Sequence, residues 1–589
     1  MRKYLKEEVS NYDKYPTTHV KNYDNAAFSG YDAICAELLK QRKNNDRFVI
    51  TVDCNTAVDI PALKAELAKR INPGLIIDSA CIFQDNDTIQ QALKLHVTED
   101  RVFGKAYYGT WNDFVDPAAL EKAKEQLKQA SGIILVIGIA ASYITEADSI
   151  IVFTDMTIWE SQMRYRNEKL CNFAIDNPDE DYIRKFKRGY FIDWRLNNRH
   201  KQSLFSCFNY YLDTVNKELP AMITREAFDN GLMQMLNQPF RTVPFFDEGL
   251  WGGQWLREVC DIQDDSKPNF AWSYNLLFPE NEVNLSFGDI RVNVPGYTVC
   301  QKYPKQLIGQ KGYARFGAEY PIRYDFLDTM GGGNLSLQVH PTTQYIQEQF
   351  AMPVTQDESY YYLDCADDCH VYLGLKTGVD KDAMATELYA ASKGEMSFDA
   401  EKYVNKIPAK KHEHYHIPAG TIHASGANGM VLEISAHPCI FTFKLWDWGR
   451  VGLDGIPRPI HLEHGLANIQ FDRQTEWTME TCAFKPIPVK AGEGFREEKI
   501  GLHEYEYIQT NRVWATKKYH ECTGGETHAL NLVEGSEALI ESPTGQFEPY
   551  VIHYAESVCI PAMVGEYTVR PYGRSEGKEI AIVKSFVKF

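Results

Sequence analysis

Five side chains in the second half of the chain have the types and spacing of a metal site. A strand would place Ser336, Gln338 and His340 on one face, because side chains alternate along a strand. Glu358 stands at the start of a run of aromatic residues, and His423 follows a tight turn. Two imidazoles, a carboxylate and an amide oxygen suit zinc or a similar divalent ion, with room left for water or a substrate.

The same residues also have ordinary structural interpretations. A His before Pro, an acidic residue entering a strand and a His after a turn all occur for packing or solubility, so spacing alone leaves both interpretations open. His412, His414 and His416 alternate in the same way, but the neighbouring Lys410 and Lys411 disfavour a cation, and we predict a strand.

Length and composition limit the kind of protein in which these residues can stand. The chain has 589 residues, which predicts about three to five domains. Its net charge of −18 and the lack of a basic stripe argue against nucleic acid as a partner. The first residues lack a signal-peptide pattern, and the longest apolar run, 132–142, is shorter than the ~20 residues that span a membrane. We therefore expect a cytoplasmic protein whose 13 cysteines are reduced thiols.

Strand and helix patterns divide the chain near residue 240. From 46 to 220, buried strand-like runs alternate with helical stretches, including one over 196–216, which predicts an α/β doubly wound domain after an extension over 1–45. Short alternating runs then predict two β-barrels or jelly rolls over 241–480 and 481–589, with a helical insertion near 376–405. The predicted fold class is therefore multidomain, α/β followed by all-β.

The α/β region resembles P-loop nucleoside-kinase-like proteins in its layout of strand, loop and helix. The loop after Asp53 lacks the residues that bind phosphate, because Cys54, Asp59 and Ile60 stand where glycines and a lysine are needed. We predict a degenerate domain that binds no nucleotide and that serves as a scaffold.

From about residue 245 to the end, the chain resembles the type I mannose-6-phosphate isomerases, which are zinc enzymes of the cupin fold. Several motifs carry this resemblance and occur in the family's order, at residues 248–253, 335–341, 358, 417–424, 446–450 and 458–461.

The resemblance implies roles for single residues. Gln338, His340, Glu358 and His423 fall on the metal-ligand positions of the family, and Glu433 matches an acidic residue that lines its active site. The implied reaction is aldose–ketose interconversion through a cis-enediol, which needs an electrophile on the sugar oxygens and a group that moves a proton.

The departures from the family fall on residues that handle the substrate. A family lysine is replaced by Gln356, which carries no charge, and a family arginine is replaced by Lys444, which keeps the charge but loses the bidentate fork. We expect Lys444 to act in catalysis, with Arg450 as the next candidate cation, and Ser336 and Gln356 to contact the substrate. The loop over 435–442 is one residue longer than the family pattern, and we expect it to follow a different path.

Three hypotheses follow for the function. The first is a zinc-dependent isomerase that converts mannose 6-phosphate to fructose 6-phosphate. The alternatives are a cupin that binds a sugar without catalysis and an isomerase of a different sugar, either unphosphorylated or otherwise altered. The expected partner is a small sugar phosphate, with no nucleic acid, membrane or nucleotide, and the sequence does not predict the oligomeric state.

Overall fold

The computed structural model describes residues 3–5, 9–43, 45–436, 440–452, 458–483, 485–501 and 506–589. The chain divides into two compact units, which we call the α/β unit and the β unit. The α/β unit comprises Thr17–Met235 and Phe278–Lys302, and the β unit comprises Met1–Pro16, Leu236–Leu277 and Tyr303–Phe589. The protein is therefore multidomain, as predicted.

A seven-stranded sheet forms the centre of the α/β unit. Its strands lie in the order Ala27–Ser29, Ala221–Thr224, Tyr210–Asp213, Ile150–Thr154, Arg47–Asp53, Gly132–Gly138 and Leu75–Asp78, of which the last five are mutually parallel. The central strand Arg47–Asp53 is buried over six of its seven residues, as expected for a parallel strand covered on both faces. The main helices of the unit are Tyr31–Lys40, Ile60–Ile71, Asn86–Val97, Pro117–Gln129, Ile158–Asn167, Tyr182–Arg188, Trp194–Leu204, Arg225–Leu236 and Gly296–Lys302.

The predicted helix over 196–216 was wrong in its second half. The helix ends at Leu204, and Tyr210–Asp213 is a buried strand that pairs in parallel with Ile150–Thr154. The backbone of this segment pairs with the neighbouring strand, and its aromatic and apolar side chains are buried. Together these interactions outweigh the local helix propensity.

Two segments outside the predicted range 46–220 also lie in the α/β unit. Thr17–His19 pairs in parallel with Glu282–Phe287, which pairs with Ile290–Pro295 in a separate three-stranded sheet. Residues 17–45 and 278–302 therefore belong to this unit, whereas the sequence assigned the first to an extension and the second to the following domain.

The loop at the end of Arg47–Asp53 leads directly into a capped helix. Asp59 accepts a hydrogen bond from the backbone N–H of Ala62 at 3.1 Å, and Pro61 stands in the first turn. Both residues are favoured at helix starts. The Asp59 carboxylate thus lies at the helix N-terminus, where a phosphate group would bind in a P-loop.

Two pairs of antiparallel sheets build the β unit. The first pair contains a six-stranded sheet, in the order His414–Ile417, Glu358–Cys365, Gly429–Ser435, Arg323–Asp328, Trp272–Leu276 and Phe245–Asp247, and a five-stranded sheet, in the order Val404–Pro408, His370–Leu375, His423–Ser425, Leu337–Val339 and Phe443–Trp446. The helices Lys381–Ser392 and Ala400–Tyr403 interrupt this pair between strands. Its other helices are Trp255–Val259, Pro304–Phe316, Thr343–Phe350, Leu462–Asn468 and Thr475–Trp477.

The second pair lies at the C-terminal end and is built from strands, as predicted. Its six-stranded sheet runs Ile487–Gly492, Phe495–Gly501, Ile508–Ala515, Ile580–Val587, His528–Glu534 and Ser557–Ile560, and its four-stranded sheet runs Tyr519–Cys522, Glu566–Pro571, Glu537–Glu541 and Tyr550–His553. Residues of both sheets, such as Val513, Ile582, Ile540 and Tyr567, share one apolar core. In the described part of the chain, no helix is both long and apolar enough to cross a membrane.

Candidate metal centre

His340, Glu358 and His423 meet in the interior of the first pair of sheets. The Nε2 atom of His340 lies 3.0 Å from one carboxylate oxygen of Glu358, and the Nε2 atom of His423 lies 2.8 Å from the other. All three side chains are buried. Within the described ranges, this is the one cluster of His, Cys, Asp or Glu whose ligand atoms all lie within 4.8 Å of one another.

The hydrogen bonds behind the two imidazoles fix which nitrogen faces Glu358. His340 donates through Nδ1 to the carbonyl oxygen of Phe441 at 2.9 Å, and His423 donates through Nδ1 to that of Thr421 at 2.8 Å. Each Nε2 atom therefore faces an oxygen of the carboxylate, and although burial opposes it, the charge of Glu358 raises the pKa of His340. Either a proton on the imidazole or a cation between the facing atoms satisfies this arrangement, so these residues fit a bound divalent ion.

The amide of Gln338 reaches the same point. Gln338 pairs with His423 across neighbouring strands, and its amide nitrogen lies 3.2 Å from His423 Nε2. A rotation of the amide by 180° would bring its oxygen to this position as a fourth ligand.

Gly420, whose φ is 86°, makes the tight turn before His423, and a Cβ atom there would lie 3.0 Å from a backbone carbonyl.

Gln356 and Glu433 lie beside the cluster. The Gln356 amide donates to Glu358 at 3.0 Å and to Glu433 at 3.3 Å, so one neutral side chain bridges the two carboxylates. Burial, followed by the charges of Asp325 and Glu358, raises the pKa of Glu433 well above its usual value. Asp325 lies directly opposite Glu433 in the neighbouring strand. These surroundings favour the protonated form of Glu433 next to the cluster.

Lys444 lies on the other side of the cluster. It pairs with Gln338 across the strand Phe443–Trp446, so that His423, Gln338 and Lys444 form a row on three adjacent strands. Its side chain is half-buried, and within the described part of the chain its ammonium makes no ion pair. Burial, followed by the charge of Arg458, lowers its pKa to about 7. An amine of this kind can exchange a proton near neutral pH.

Ser336 and Arg450 do not reach the cluster directly but meet at Asp447. The Ser336 hydroxyl donates to Asp447 at 2.7 Å, and the guanidiniums of Arg450 and Arg458 lie 2.6 Å and 3.0 Å from its oxygens. Arg450 also donates to the Asn334 carbonyl at 2.8 Å, so its guanidinium already has two acceptors in the protein.

Sequence reasoning missed Asp447 and Arg458 as members of the site. Both residues stand in motifs that carried the resemblance, so a signal was present, but it did not reveal that one carboxylate orders two cations and a hydroxyl. The structure thus brings the four proposed ligands together with Gln356 and Glu433, sets Lys444 in the adjacent strand, and joins Ser336 and Arg450 through Asp447. Residues 437–439 of the loop predicted to follow a different path lie outside the described residues.

His414 and His416 do not join the cluster. Both imidazoles donate to the same carbonyl oxygen, that of Ile500, at 3.0 Å and 3.3 Å. They lie in the strand His414–Ile417, in keeping with the interpretation preferred from the sequence.

Comparison with known proteins gives one family match and several similar proteins. Residues 30–237 match a domain family of unknown function, DUF8485. The mannose-6-phosphate isomerase ManA of Bacillus subtilis is 23% identical over 238 residues, which is 40% of this chain and 69% of that protein. The mannose-6-phosphate isomerase of Streptococcus mutans is 26% identical over 219 residues, or 37% of this chain and 63% of that protein. The chain thus spans about two thirds of the length of these relatives.

Two solved structures are partly similar to this chain. The crystal structure of the mannose 6-phosphate isomerase from Bacillus subtilis covers 59% of this chain and 99% of its own, with 17% identity and a TM-score of 0.48. A variant of phosphomannose isomerase from Salmonella typhimurium covers the same shares, with 16% identity and a TM-score of 0.46. The resemblance seen in the motifs is confirmed as homology at low identity over about 40% of the chain. The likeness of residues 46–220 to P-loop proteins stays a prediction.

Proposed function

We propose that this chain is a metal-dependent aldose–ketose isomerase of a hexose 6-phosphate, acting between mannose 6-phosphate and fructose 6-phosphate. The observation that carries the proposal is the convergence of His340, Glu358, His423 and Gln338 at one buried point whose donor set suits a divalent cation. The curated relatives are named mannose-6-phosphate isomerases, which supports this reaction. We assign the surrounding sheets to the cupin fold and zinc to the site.

The four ligand side chains would hold zinc, which when bound polarises the carbonyl and hydroxyl oxygens of the sugar. Beside that point lie two titratable side chains with shifted pKa values, Lys444 and Glu433. Lys444 is an amine with a pKa of about 7, which can take the proton from the carbon beside the carbonyl. Glu433 is buried and its pKa is raised, which favours the protonated form that could donate to a developing oxygen anion. Gln356 holds Glu433 and Glu358 in fixed positions.

Positive charge beside Lys444 supports an anionic substrate. Arg450 and Arg458 outnumber the single carboxylate of Asp447, and Ser336 adds a hydroxyl at the same place. A phosphate group could therefore accept from Arg458 while the reacting carbons lie toward Lys444.

One observation favours the alternative of an unphosphorylated sugar. Gln356 has replaced a cation next to the cluster, so the site has less positive charge than the motif implies. A sugar-binding protein without turnover is the remaining alternative.

The test is an incubation of purified, zinc-loaded protein with fructose 6-phosphate and, in a separate arm, with fructose. The appearance of mannose 6-phosphate in the first arm is the expected result, and His340→Ala should abolish it. Product formed only from fructose would identify an unphosphorylated sugar as the substrate. Binding without product in either arm would refute the proposed isomerase activity.

For the α/β unit we propose a degenerate P-loop domain that acts as a scaffold without a nucleotide. The carboxylate of Asp59 at the helix N-terminus supports this, because it repels a phosphate at the position where one would bind.

A further inference from the structure

The β unit carries a surface groove whose described lining residues include none of the four proposed metal ligands. Its volume is about 520 Å³, within the range of small-molecule sites. Two segments with different properties line it. The first consists of aromatic side chains, and the second is the short polar stretch that precedes and begins the helix Ala400–Tyr403 in the inserted helical region.

The aromatic part consists of Tyr372, Phe398, Trp446 and Trp448. Tyr372 and Trp448 pack with ring centroids 5.4 Å apart, and Phe398 and Trp446 pack with centroids 6.4 Å apart. Phe398 also stacks on Tyr403 at 5.5 Å with an interplanar angle of 6°. These contacts hold the rings in place before any ligand arrives, which lowers the entropic cost of binding.

Trp448 is held in a backbone conformation that side chains seldom adopt. Its φ is 56°, and its indole N–H donates to the carbonyl oxygen of Leu335 at 2.7 Å. A left-handed conformation at a bulky residue persists only where the surroundings enforce it, and such residues cluster at binding sites. The indole is therefore fixed at the groove, and its side chain is only half-buried.

The polar part is formed by Ser397, Asp399 and Glu401, which are exposed at the rim. Glu401 is already neutralised by Lys406, whose ammonium lies 2.6 Å from its carboxylate. The same ammonium lies 5.9 Å from the centroid of the Tyr372 ring.

We propose that this groove binds a neutral pyranose ring of an oligosaccharide. Tyr372, Phe398 and Trp446 are buried and Trp448 is half-buried, so the C–H face of a pyranose would pack on Trp448 while its hydroxyls pair with the carboxylates and the serine at the rim. Asp399 and Glu401 disfavour a phosphorylated sugar. A cationic ligand is also disfavoured, because Lys406 already occupies the space over Tyr372 and compensates Glu401. This binding function does not depend on the proposed isomerase reaction.

The experiment measures binding of mannotriose and cellotriose to the full chain by saturation-transfer NMR and calorimetry. The unmodified protein should bind at least one of them. Trp448→Ala should weaken binding about fivefold or more, whereas Trp448→Phe, which loses the bond to Leu335 but keeps a ring, should stay within about threefold. Trp477→Ala, which removes an indole outside the groove, is the matched control and should change nothing.

Two further variants separate the chemistry from the fold. Asp399→Asn keeps the helix cap and removes the charge, so a neutral sugar should bind within about threefold of the unmodified protein. Ser397→Trp adds an indole at the exposed rim and should block the groove, even if Trp448→Ala fails to fold.

Three outcomes would overturn the proposal. The first is no saturation transfer to either sugar at millimolar concentration. The second is equal weakening by Trp448→Phe and Trp448→Ala, which would assign Trp448 to structure alone. The third is binding of choline instead of sugar, lost in Asp399→Asn, which would make the groove a cation site.

Discussion

Removal of one imidazole from the metal centre should abolish the effect of a chelator on the stability of the β unit. In His340→Ala, Glu358 keeps a single imidazole neighbour at 2.8 Å, that of His423. Mutation of a residue that hydrogen-bonds to a metal ligand lowers metal affinity about 10- to 100-fold. Loss of a ligand itself should therefore lower it about 100-fold or more.

The size of the effect follows from mass action. Zinc at 100 times its Kd stabilises the folded protein by about 2.7 kcal/mol, and the same concentration stabilises a variant that binds 100-fold more weakly by about 0.4 kcal/mol. The difference of about 2.3 kcal/mol corresponds to about 3 °C in melting temperature for a unit of the size of the β unit, at about 2.1 cal/mol/K of unfolding entropy per residue.

The assay is thermal unfolding with and without EDTA, together with metal analysis by mass spectrometry. EDTA should lower the melting temperature of the unmodified protein and leave that of His340→Ala almost unchanged. His414→Ala is the matched control, because it also removes a buried imidazole of the β unit but one that bonds to Ile500 rather than to the cluster. A chelator shift of equal size in His340→Ala would refute the assignment of His340 as a ligand.

Three other predictions concern the neighbouring residues and the α/β unit. Lys444→Ala should keep its metal and lose turnover at least about 100-fold. In the unmodified protein the rate should fall below pH 7, because the Lys444 amine, with a pKa of about 7, then becomes protonated and cannot accept a proton. Unchanged activity in the variant would shift the catalytic role to Arg450 or Arg458. Asp447→Ala should raise KM for the sugar phosphate and lower the free energy of unfolding by about 1–3 kcal/mol in urea titrations, because two guanidiniums lose their acceptor, and an unchanged KM would exclude this cluster from the substrate site. Calorimetric titration of the full chain with Mg-ATP should detect no micromolar binding, and such binding would contradict the inference from Asp59.

Local sequence determined those elements whose signals lie within a few residues. The strand Arg47–Asp53 ends where the loop after Asp53 was predicted to begin, and the helix Lys381–Ser392 lies within the insertion predicted near 376–405. Asp380 caps that helix by accepting from two backbone N–H groups, which is a signal of sequence alone. The four proposed metal ligands were also named from sequence, because their positions match the family motif, whereas their types and spacing alone left a structural interpretation open.

Tertiary structure decided the features that depend on partners far along the chain. Tyr210–Asp213 is a strand and not a helix because Ile150–Thr154 offers it hydrogen bonds, and residues 278–302 join the α/β unit because Thr17–His19 pairs with Glu282–Phe287. The shared carboxylate of Asp447 and the lowered pKa of Lys444 likewise arise only when separate segments bury charges together. Pairing and desolvation are properties of the folded neighbourhood, so no local pattern contains them.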